Sequence, residues 1–469
     1  MYPLKLPLLA LLFPLFLQAQ SYQYSCTIKD VKKPEMVYFG YWYTGVPYFL
    51  DSVKVDSVQP VAQFKGKKAL ETGLYFFYHN GQKTLLEFIV NNEFDLRFTT
   101  SMLALADSFS VEKSVENEPY FYWRTFKRSR ETRIETARSM LEMLRKATRD
   151  REVLDEQVKS IRTLREEIDA NTRKQLIKYP NLFFPKLVNS ELPAAVPATI
   201  ETLLADGSLN PKYMRYFRDH FWDNYDFTDT RLLRSPALAR KTDDWMQIQG
   251  AVLDSVKSSL SFAIKKASVN QESKNKLLQL ILERFDKPSY GGNETMLVYL
   301  FDQFMPTAKS AGIDTATWMR IEYKASSFRG TLPGRIAPEI KLKDTTGTEV
   351  SLYNFKAKYT LLYFFSPLCA HCKEATPNIY ATTLPYADKG IRVFAVTTDG
   401  RFDYWKNYVA TNIPKWTCVA DENDPSTVEK MYATYSLPNL MILDEEKKIL
   451  VRRLPLSDLP KVLEGLSKE

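Results

Sequence analysis

Cysteine, glycine and long apolar runs are all scarce in this chain. Only 4 cysteines and 16 glycines occur among 469 residues, which excludes a disulfide-stapled scaffold and a collagen-like repeat. No segment after residue 20 is long and apolar enough to span a bilayer. The net charge is only +8, with basic and acidic residues interspersed, so the sequence predicts no binding of nucleic acid.

The composition is that of a large globular protein. Hydrophobic residues make up 45% and charged residues 26% of the chain, which excludes wholesale disorder. At roughly 150 residues per domain, the length predicts about three domains. We therefore expect a multidomain α+β protein.

Residues 1–20 have the pattern of a secretory signal. Lys5 precedes an apolar run, Leu6–Leu17, that is too short to cross a bilayer core of about 30 Å as a helix. We expect cleavage near Ala19-Gln20, export to the periplasm and no integral membrane span. A lipoprotein anchored at Cys26 is the alternative, but the three residues before this cysteine are not a small-residue box.

The segment 21–112 is rich in strand patterns. Aromatic, β-branched or alternating runs occur at 37–42, 74–78, 85–90 and 93–98. Asn80-Gly81 between two of these runs is typical of a tight hairpin turn, since both residues tolerate a positive φ. The pattern predicts an antiparallel, β-sandwich-like domain.

Helical patterns dominate 113–330. Apolar residues recur at spacings of three and four from Ile134 to Leu144 and from Leu154 to Ile168, which predicts a hairpin of two long amphipathic helices. We interpret their charged faces as solvated rather than partner-binding. Further helices are predicted at 211–222, 237–266, 275–285 and 316–326, with a linker at 330–334.

An α/β domain is predicted over 331–469. A hairpin around Asp344-Thr345-Thr346-Gly347 comes first, and strands then alternate with helices from Tyr359 until a final hairpin between Leu440 and Arg452. This order predicts a central sheet with parallel pairs, closed by an antiparallel hairpin.

The motif Cys369-Ala370-His371-Cys372 follows an apolar strand and opens a helix. The helix N-terminus offers partial positive charge and free N–H groups, which favour thiolate at Cys369. Thiolate is the attacking species in thiol–disulfide exchange. We therefore predict Cys369 as the nucleophile, and Cys372, one turn further on, as the less exposed resolving thiol.

Two alternatives for this motif remain, half of a zinc site and an inert structural disulfide. Zinc prefers four ligands, often from a second close pair, whereas Cys26 and Cys418 are isolated in the sequence. Redox catalysis without a metal or other cofactor is the favoured interpretation.

Residues 334–469 resemble the thioredoxin-fold domain of TlpA/ResA-like thiol-disulfide oxidoreductases. The resemblance is carried by the lead-in Gly334–Pro338, the strand–CxxC–helix junction, Pro377 five residues after the second cysteine, and Ser436-Leu437-Pro438-Asn439. It implies that Pro438 is a cis proline that faces the dithiol and pairs with client backbone, and that Pro377 kinks the helix.

The preceding segments carry a less specific resemblance. Residues 22–110, and the two short segments 218–223 and 231–234, resemble the β and helical domains of unknown function that precede thioredoxin domains in some bacterial envelope proteins. The resemblance implies an architecture and an extracytoplasmic location, without assigning any chemistry. His220 and Trp222 are interpreted as packing residues rather than a site.

Three positions depart from the pattern of the family. Tyr363 stands where many thioredoxins bury a carboxylate, Ala375 where ResA-like proteins carry Glu, and Leu368 where Trp is usual. Glu374, one position before Ala375, is turned about 100° around the helix. The proton relay is therefore unassigned, with Glu374 and Tyr363 as candidates.

His371 bears on the redox direction. A protonated imidazole near Cys369 would stabilise the thiolate and make the disulfide more oxidising, whereas the surrounding sequence resembles reductants. We predict a reductase or general exchanger in which His371 and Glu374 tune the dithiol.

The predicted partners are disulfide-bearing or dithiol proteins of the envelope, together with an upstream electron donor in the membrane. A thiol peroxidase is an alternative, because Ser366 lies three residues before Cys369, although Leu362 replaces the expected upstream Pro. A redox-sensitive interaction protein of the envelope is the second alternative function.

Overall fold

A computed structural model describes residues 21–79, 83–102, 109–147, 150–206, 208–249, 252–286, 293–308, 313–397, 402–420 and 425–468. The expected signal segment 1–20 and the hairpin turn at Asn80-Gly81 lie outside these ranges. The chain divides into two compact units, 1–249 and 250–469. Among the described helices, none combines the length and the apolar character that a bilayer crossing requires.

The first unit begins with strands that form two four-stranded sheets in the described residues. The strands are β1 (Tyr22–Lys29), β2 (Glu35–Tyr43), β3 (Val46–Val55), β4 (Val61–Gly66), β5 (Gly73–His79), β6 (Lys83–Val90), β7 (Asp95–Ser101) and β8 (Ser110–Glu112). One sheet has the order β4-β1-β7-β8 and the other β3-β2-β5-β6. Pairing is antiparallel apart from β1 with β7, which run parallel.

The two sheets pack face to face through aromatic rings. Phe39 of β2 is fully buried, and its ring centroid lies 6.0 Å from that of Tyr24 on β1 and 5.2 Å from that of Phe64 on β4. Alternation along each strand directs such side chains into the space between the sheets. The predicted N-terminal antiparallel β domain is confirmed, and in the structure it consists of these two sheets.

Helices follow the sandwich in the first unit. They are α1 (Asn117–Ala147), α2 (Arg151–Lys178), α3 (Phe184–Glu191), α4 (Pro211–Asp219) and α5 (Ala237–Gln247). The helices α1 and α2 form the predicted hairpin, and Trp123 Nε1 of α1 donates a hydrogen bond of 2.8 Å to Thr172 Oγ1 of α2. His220 ends α4 half-exposed beside Asp223, whereas Trp222 is buried against Trp245.

The second unit begins with α6 (Leu253–Ala267), α7 (Gln271–Phe285), α8 (Asn293–Ala308) and α9 (Thr315–Arg329). The single helix predicted over 237–266 is wrong, because α5 ends at Gln247 and α6 begins at Leu253. Gly250 lies between them in the sequence, and glycine costs about 1 kcal/mol relative to alanine inside a helix. Because the helical periodicity is present on both sides of the break, the sequence pattern did not indicate it.

The remainder of the second unit is the predicted α/β domain. Its strands are β9 (Lys341–Asp344), β10 (Glu349–Ser351), β11 (Tyr359–Phe365), β12 (Ile391–Thr397), β13 (Thr417–Ala420), β14 (Asn439–Leu443) and β15 (Ile449–Arg452). Its helices are α10 (Ala370–Thr383), α11 (Phe402–Asn412), α12 (Pro425–Tyr432) and α13 (Leu459–Leu466). Across the described residues the sheet order is β10-β9-β13-β12-β11-β14-β15.

The strand β11 lies at the centre of this sheet. It pairs in parallel with β12 and antiparallel with β14. Both of its faces are buried, with Tyr363 in the core on one side and Phe364 in the core on the other. A strand covered on both faces has to be apolar throughout, which explains the continuous run from Leu361 to Phe365.

The segment Gly330–Gly334 is more than the connection that the sequence predicts. Thr331 within it is fully buried, and its Oγ1 accepts a hydrogen bond of 3.2 Å from Arg452 Nε. The Gly334 N–H donates to the Ile449 carbonyl at 2.7 Å. The segment is therefore packed against β15 and is not a free linker.

Candidate functional site

The CxxC motif is placed by the turn that follows β11. Within this turn the Leu368 N–H donates to Ser366 Oγ at 3.1 Å, and the Cys369 N–H donates to the Ser366 carbonyl at 3.2 Å. Both bonds close the chain tightly between strand and helix. The first cysteine is thereby held at the carboxyl end of the central strand, where α10 begins.

Cys369 caps α10. Its backbone is extended, with φ −68° and ψ 122°, and its Sγ accepts a hydrogen bond of 3.4 Å from the Cys372 N–H. A helix start leaves such amide groups without partners in the helix, and a negatively charged sulfur accepts from them more strongly than a neutral thiol. Because Cys369 is also half-exposed, its sulfur is accessible for exchange.

Cys372 differs from Cys369 in burial. Its side chain is fully buried, and burial, reinforced by the neighbouring Cys369 sulfur, raises the pKa of the Cys372 thiol to about 12. A hydrogen bond from the Ser366 backbone acts in the opposite direction on this pKa. Both cysteines are free thiols in the structure, so the site is described in its dithiol form.

Pro438 lies across from the dithiol. The Leu437–Pro438 peptide bond is cis, and the Leu437 carbonyl oxygen is 3.9 Å from Cys369 Sγ. The cis bond and the place opposite Cys369 are those that the family resemblance implies, and the pairing of Pro438 with client backbone stays a prediction. The neighbouring Asn439 begins β14 and pairs with Phe364 of β11, which ties this loop to the strand that carries the CxxC motif.

A groove of about 620 Å³ opens beside the two thiols. It is lined by the first turns of α10 and by the segments Ser436–Leu440 and Arg453–Leu456. The groove is an open surface feature next to Cys369 rather than an enclosed cavity.

His371 and Glu374 both line this groove and both are exposed. Ala375 of the same helix is buried, so the acidic side chain faces solvent while the position next to it faces the core. The structure brings both residues to the dithiol end of the groove. Their predicted tuning of the redox pair stays a prediction.

Thr376, which forms a hydrogen bond with the relay candidate Tyr363 beneath the helix, was not predicted from the sequence. Thr376 Oγ1 donates to the Cys372 carbonyl at 2.6 Å and lies 2.8 Å from the Tyr363 hydroxyl. Burial raises the pKa of Tyr363 above its usual value. Thr376 lies four residues after Cys372, which places the two on one helix face, and this spacing was the signal that could have found it.

Two further cysteines lie in strands, far along the sequence from the CxxC pair. Cys26 of β1 and Cys418 of β13 are both buried and free, and burial raises the pKa of each thiol. The expectation that Cys418 is a buried strand residue is confirmed. Over the described ranges, no cluster of three or more His, Cys, Asp or Glu side chains is arranged to hold a metal ion.

Comparison with known families assigns two segments. Residues 333–452 match the AhpC/TSA family. Residues 190–324 match a domain of unknown function, DUF5106. Among characterised proteins, thiol-disulfide oxidoreductase ResA of Bacillus thuringiensis subsp. konkukian is 26% identical over 117 residues, which is 25% of this chain and 66% of the relative. ResA of Bacillus cereus matches to the same extent, so this chain spans slightly less than two thirds of these relatives.

Solved structures resemble the chain as well. A thioredoxin-like protein from Bacteroides caccae has a TM-score of 0.49 at 18% identity and covers 58% of this chain and 98% of its own. A domain of a possible thiol-disulfide isomerase from Cytophaga hutchinsonii has a TM-score of 0.28 at 33% identity, and the match covers 29% of this chain and 94% of that domain.

The family matches and the observed sheet agree on the same segment. The α/β domain contains the matched range 333–452, and the CxxC motif lies where its central strand meets α10. Residues 333–452 of this chain therefore form a thioredoxin-like domain that matches the AhpC/TSA family and is similar to the ResA thiol-disulfide oxidoreductases, and a segment that matches DUF5106 precedes it.

Proposed function

We propose that this chain is an exported thiol-disulfide oxidoreductase that exchanges the Cys369–Cys372 pair with cysteines of envelope proteins, acting as a reductant. The observation that carries the proposal is the asymmetry of the two thiols. Cys369 is half-exposed at the helix start and Cys372 is fully buried behind it. The Cys369 sulfur is therefore accessible to a client, whereas the Cys372 sulfur is shielded from solvent.

The first step forms a mixed disulfide. The Cys369 thiolate attacks one sulfur of a client disulfide, the client S–S bond breaks, and the departing client thiolate takes a proton from water. The N–H of Cys372, which points at Cys369 Sγ, stabilises the attacking thiolate. Pro438 and the adjoining loop hold the client backbone beside the sulfur.

The second step releases the client. Cys372 loses its proton and attacks Cys369 Sγ, the mixed disulfide breaks, and the second client sulfur leaves as a thiol. Two electrons and two protons have then passed from the protein dithiol to the client disulfide. An upstream dithiol donor, proposed to be a membrane protein of the envelope, restores the reduced pair.

The periplasm is proposed as the location of this chemistry. The support is the secretory pattern of residues 1–20, since disulfides that need exchange persist outside the cytosol. Export is tested by fractionating cells and by determining the N-terminus of the mature protein, which should lie near Ala19-Gln20.

Trapping tests the proposed roles of the two cysteines. Cys372→Ser protein should accumulate a mixed disulfide on Cys369 with its client, because the resolving thiol is missing. Cys369→Ser protein is the matched control and should capture none. The opposite pattern, with partners on the Cys369→Ser protein alone, would reverse the two roles.

The direction of exchange is tested by the reduction potential. A potential of the 369–372 pair well below about −150 mV supports the reductant role. A value above that would place the pair among strong oxidants and contradict the proposal of a reductase.

A thiol peroxidase is the second candidate, favoured by the match of residues 333–452 to the AhpC/TSA family. Ser366, the residue that prompted this alternative, accepts a hydrogen bond from the Leu368 N–H at 3.1 Å and so serves the turn. Consumption of hydrogen peroxide by Cys372→Ser protein would favour the peroxidase.

A redox-sensitive interaction protein of the envelope is the other candidate. Residues 190–324 match a domain to which no activity is assigned, and a partner could bind there. Equal binding of a captured partner to Cys369→Ser and unsubstituted protein would separate this role from disulfide exchange.

A further inference from the structure

We propose that Glu294, on a helix outside the dithiol domain, is a positioning residue for the client groove and acts by holding the Arg453 guanidinium at the groove wall. The proposal rests on the proposed exchange function. It concerns how well a polypeptide client binds, not the chemistry of the two thiols.

Glu294 forms a buried cluster with two arginines. It lies in the first turn of α8, where its Oε1 is 2.9 Å from Arg452 Nη1 and 3.0 Å from Arg453 Nε. The side chains of Glu294 and Arg452 are 8% and 2% exposed, whereas that of Arg453 is 29% exposed. One carboxylate thus stands between two cations at the end of β15.

Arg452 is held by several other groups. Its Nε donates to Thr331 Oγ1 at 3.2 Å and its Nη2 donates to the Tyr432 carbonyl at 3.0 Å. Its guanidinium also lies 4.7 Å from the centre of the Phe328 ring. Removal of the Glu294 carboxylate would therefore leave Arg452 in place.

The position of the Arg453 side chain depends on Glu294 far more than that of Arg452 does. Among the described residues, the Arg453 side chain contacts Glu294 and the Phe328 ring, whose centre lies 5.6 Å from the guanidinium. Without the carboxylate, two guanidinium groups would face each other, and like charges in a partly buried place repel strongly. Arg453, the more exposed of the two, would turn out into solvent.

This movement would alter the groove beside the thiols. Arg453 lines the groove together with Pro438 and His371, so its position helps to shape the wall opposite α10. A second connection reaches the other wall, where the Tyr435 hydroxyl lies 3.0 Å from the Tyr323 hydroxyl of α9. The helices α8 and α9 therefore contact Arg453 of one lining segment and Tyr435, the residue directly before the other.

The expected effect separates large from small substrates. A polypeptide disulfide fills the groove as well as meeting Cys369, whereas a small aromatic disulfide such as DTNB needs only the exposed sulfur. Glu294→Gln should raise the KM for insulin about fivefold, equivalent to ~1 kcal/mol. Its kcat for insulin and its rate with DTNB should remain within about twofold of the parent.

The experiment measures reduction of insulin by the full chain with dithiothreitol as electron source, and single-turnover reduction of DTNB by the prereduced full chain after dithiothreitol has been removed. Asp302→Asn is the matched control, since Asp302 also lies on α8 but pairs with Arg329 at an exposed position. This control should leave both KM values unchanged. Arg453→Gln, which keeps Glu294 and Arg452 as a balanced pair, should raise the insulin KM as Glu294→Gln does.

The double variant Glu294→Gln/Arg453→Gln tests whether Glu294 acts through Arg453. Its insulin KM should equal that of Arg453→Gln alone, because the residue through which Glu294 acts is already absent. Additive increases would overturn the proposal, as would an unchanged insulin KM in either single variant. If Glu294→Gln does not fold, the insulin KM of Arg453→Gln tests the proposal by itself. A raised KM supports it, and an unchanged KM overturns it.

Failure of the proposed function has a different signature. In that case the unsubstituted chain would not accelerate insulin reduction above the rate with dithiothreitol alone, and the inference about Glu294 would be overturned with it. An active parent with unaffected variants would overturn only the positioning role.

Discussion

The hydroxyl of Tyr363 lies 2.8 Å from Thr376 Oγ1, directly beneath the helix turn that carries Cys372. Thr376 uses its own proton in the bond to the Cys372 carbonyl, so the tyrosine donates to the threonine. This chain of hydrogen bonds occupies the position where the family resemblance implies a buried carboxylate. The group beneath Cys372 is therefore a neutral donor, with burial keeping the pKa of Tyr363 above its usual value.

We expect Tyr363→Phe to lower the free energy of unfolding by about 1 kcal/mol, the usual contribution of one hydrogen bond. Insulin reduction should change less than about twofold, because a tyrosine that stays protonated is no general base. Urea denaturation and insulin turnover measure the two effects. Tyr404→Phe, at an exposed phenol, is the control, and a tenfold loss of turnover in Tyr363→Phe would identify Tyr363 as the relay.

The four cysteines should react with iodoacetamide in a fixed order. Cys369 should be alkylated first, since it alone is half-exposed, and Cys372 much more slowly, since it is buried with a pKa raised to about 12. Cys26 and Cys418 should react only after unfolding, because both are buried. Mass spectrometry of the reduced native protein checks this order. Early labelling of Cys418 would contradict the buried position.

Resolution of the mixed disulfide should accelerate with pH. Because burial raises the pKa of Cys372 to about 12, its thiolate is the minor form near neutrality and increases about tenfold per pH unit below the pKa. Release of glutathione from a Cys369–glutathione mixed disulfide should therefore still be rising between about pH 7 and pH 9. Cys372→Ser protein should hold the glutathione throughout, and a plateau near neutrality would contradict the raised pKa.

His371→Ala and Glu374→Gln should shift the reduction potential in opposite directions. A charge near a helix start is worth about 0.3–1 kcal/mol, which is a shift of roughly 6–21 mV for a two-electron couple. Loss of a cation that favours the thiolate lowers the potential, and loss of an anion raises it. Equilibration with glutathione buffers measures both. Shifts of the same sign would show that neither charge acts on the dithiol.

Local sequence was sufficient for the parts of the fold that depend on neighbours along the chain. The apolar run of β11, the cysteine at the start of α10 and the hairpin of β9 and β10 were all predicted, since each is a continuous pattern over a few residues. The β-sandwich was predicted for the same reason, from strands of alternating polarity. The parallel pairing of β1 with β7 was not, because strands distant in sequence leave no local signal of their pairing.

The two errors of prediction have different causes. Gly330–Gly334 has the composition of a linker, but Arg452 binds its Thr331 from β15. The helix predicted across 237–266 has continuous periodicity, yet it ends at Gln247. The spacing of apolar residues indicates which face of a helix is buried. It does not indicate where the helix ends and the chain turns.

The sequence by itself determined that two cysteines one helical turn apart open a helix after a buried strand, because this arrangement needs only a few consecutive residues. Tertiary structure alone decided that Leu437 lies opposite Cys369, that Tyr363 and Thr376 meet beneath Cys372, and that Glu294 lies between Arg452 and Arg453. Those contacts join residues that are 13 to 159 positions apart. Such contacts form only when the whole domain packs, since burial makes each of these polar groups require a partner.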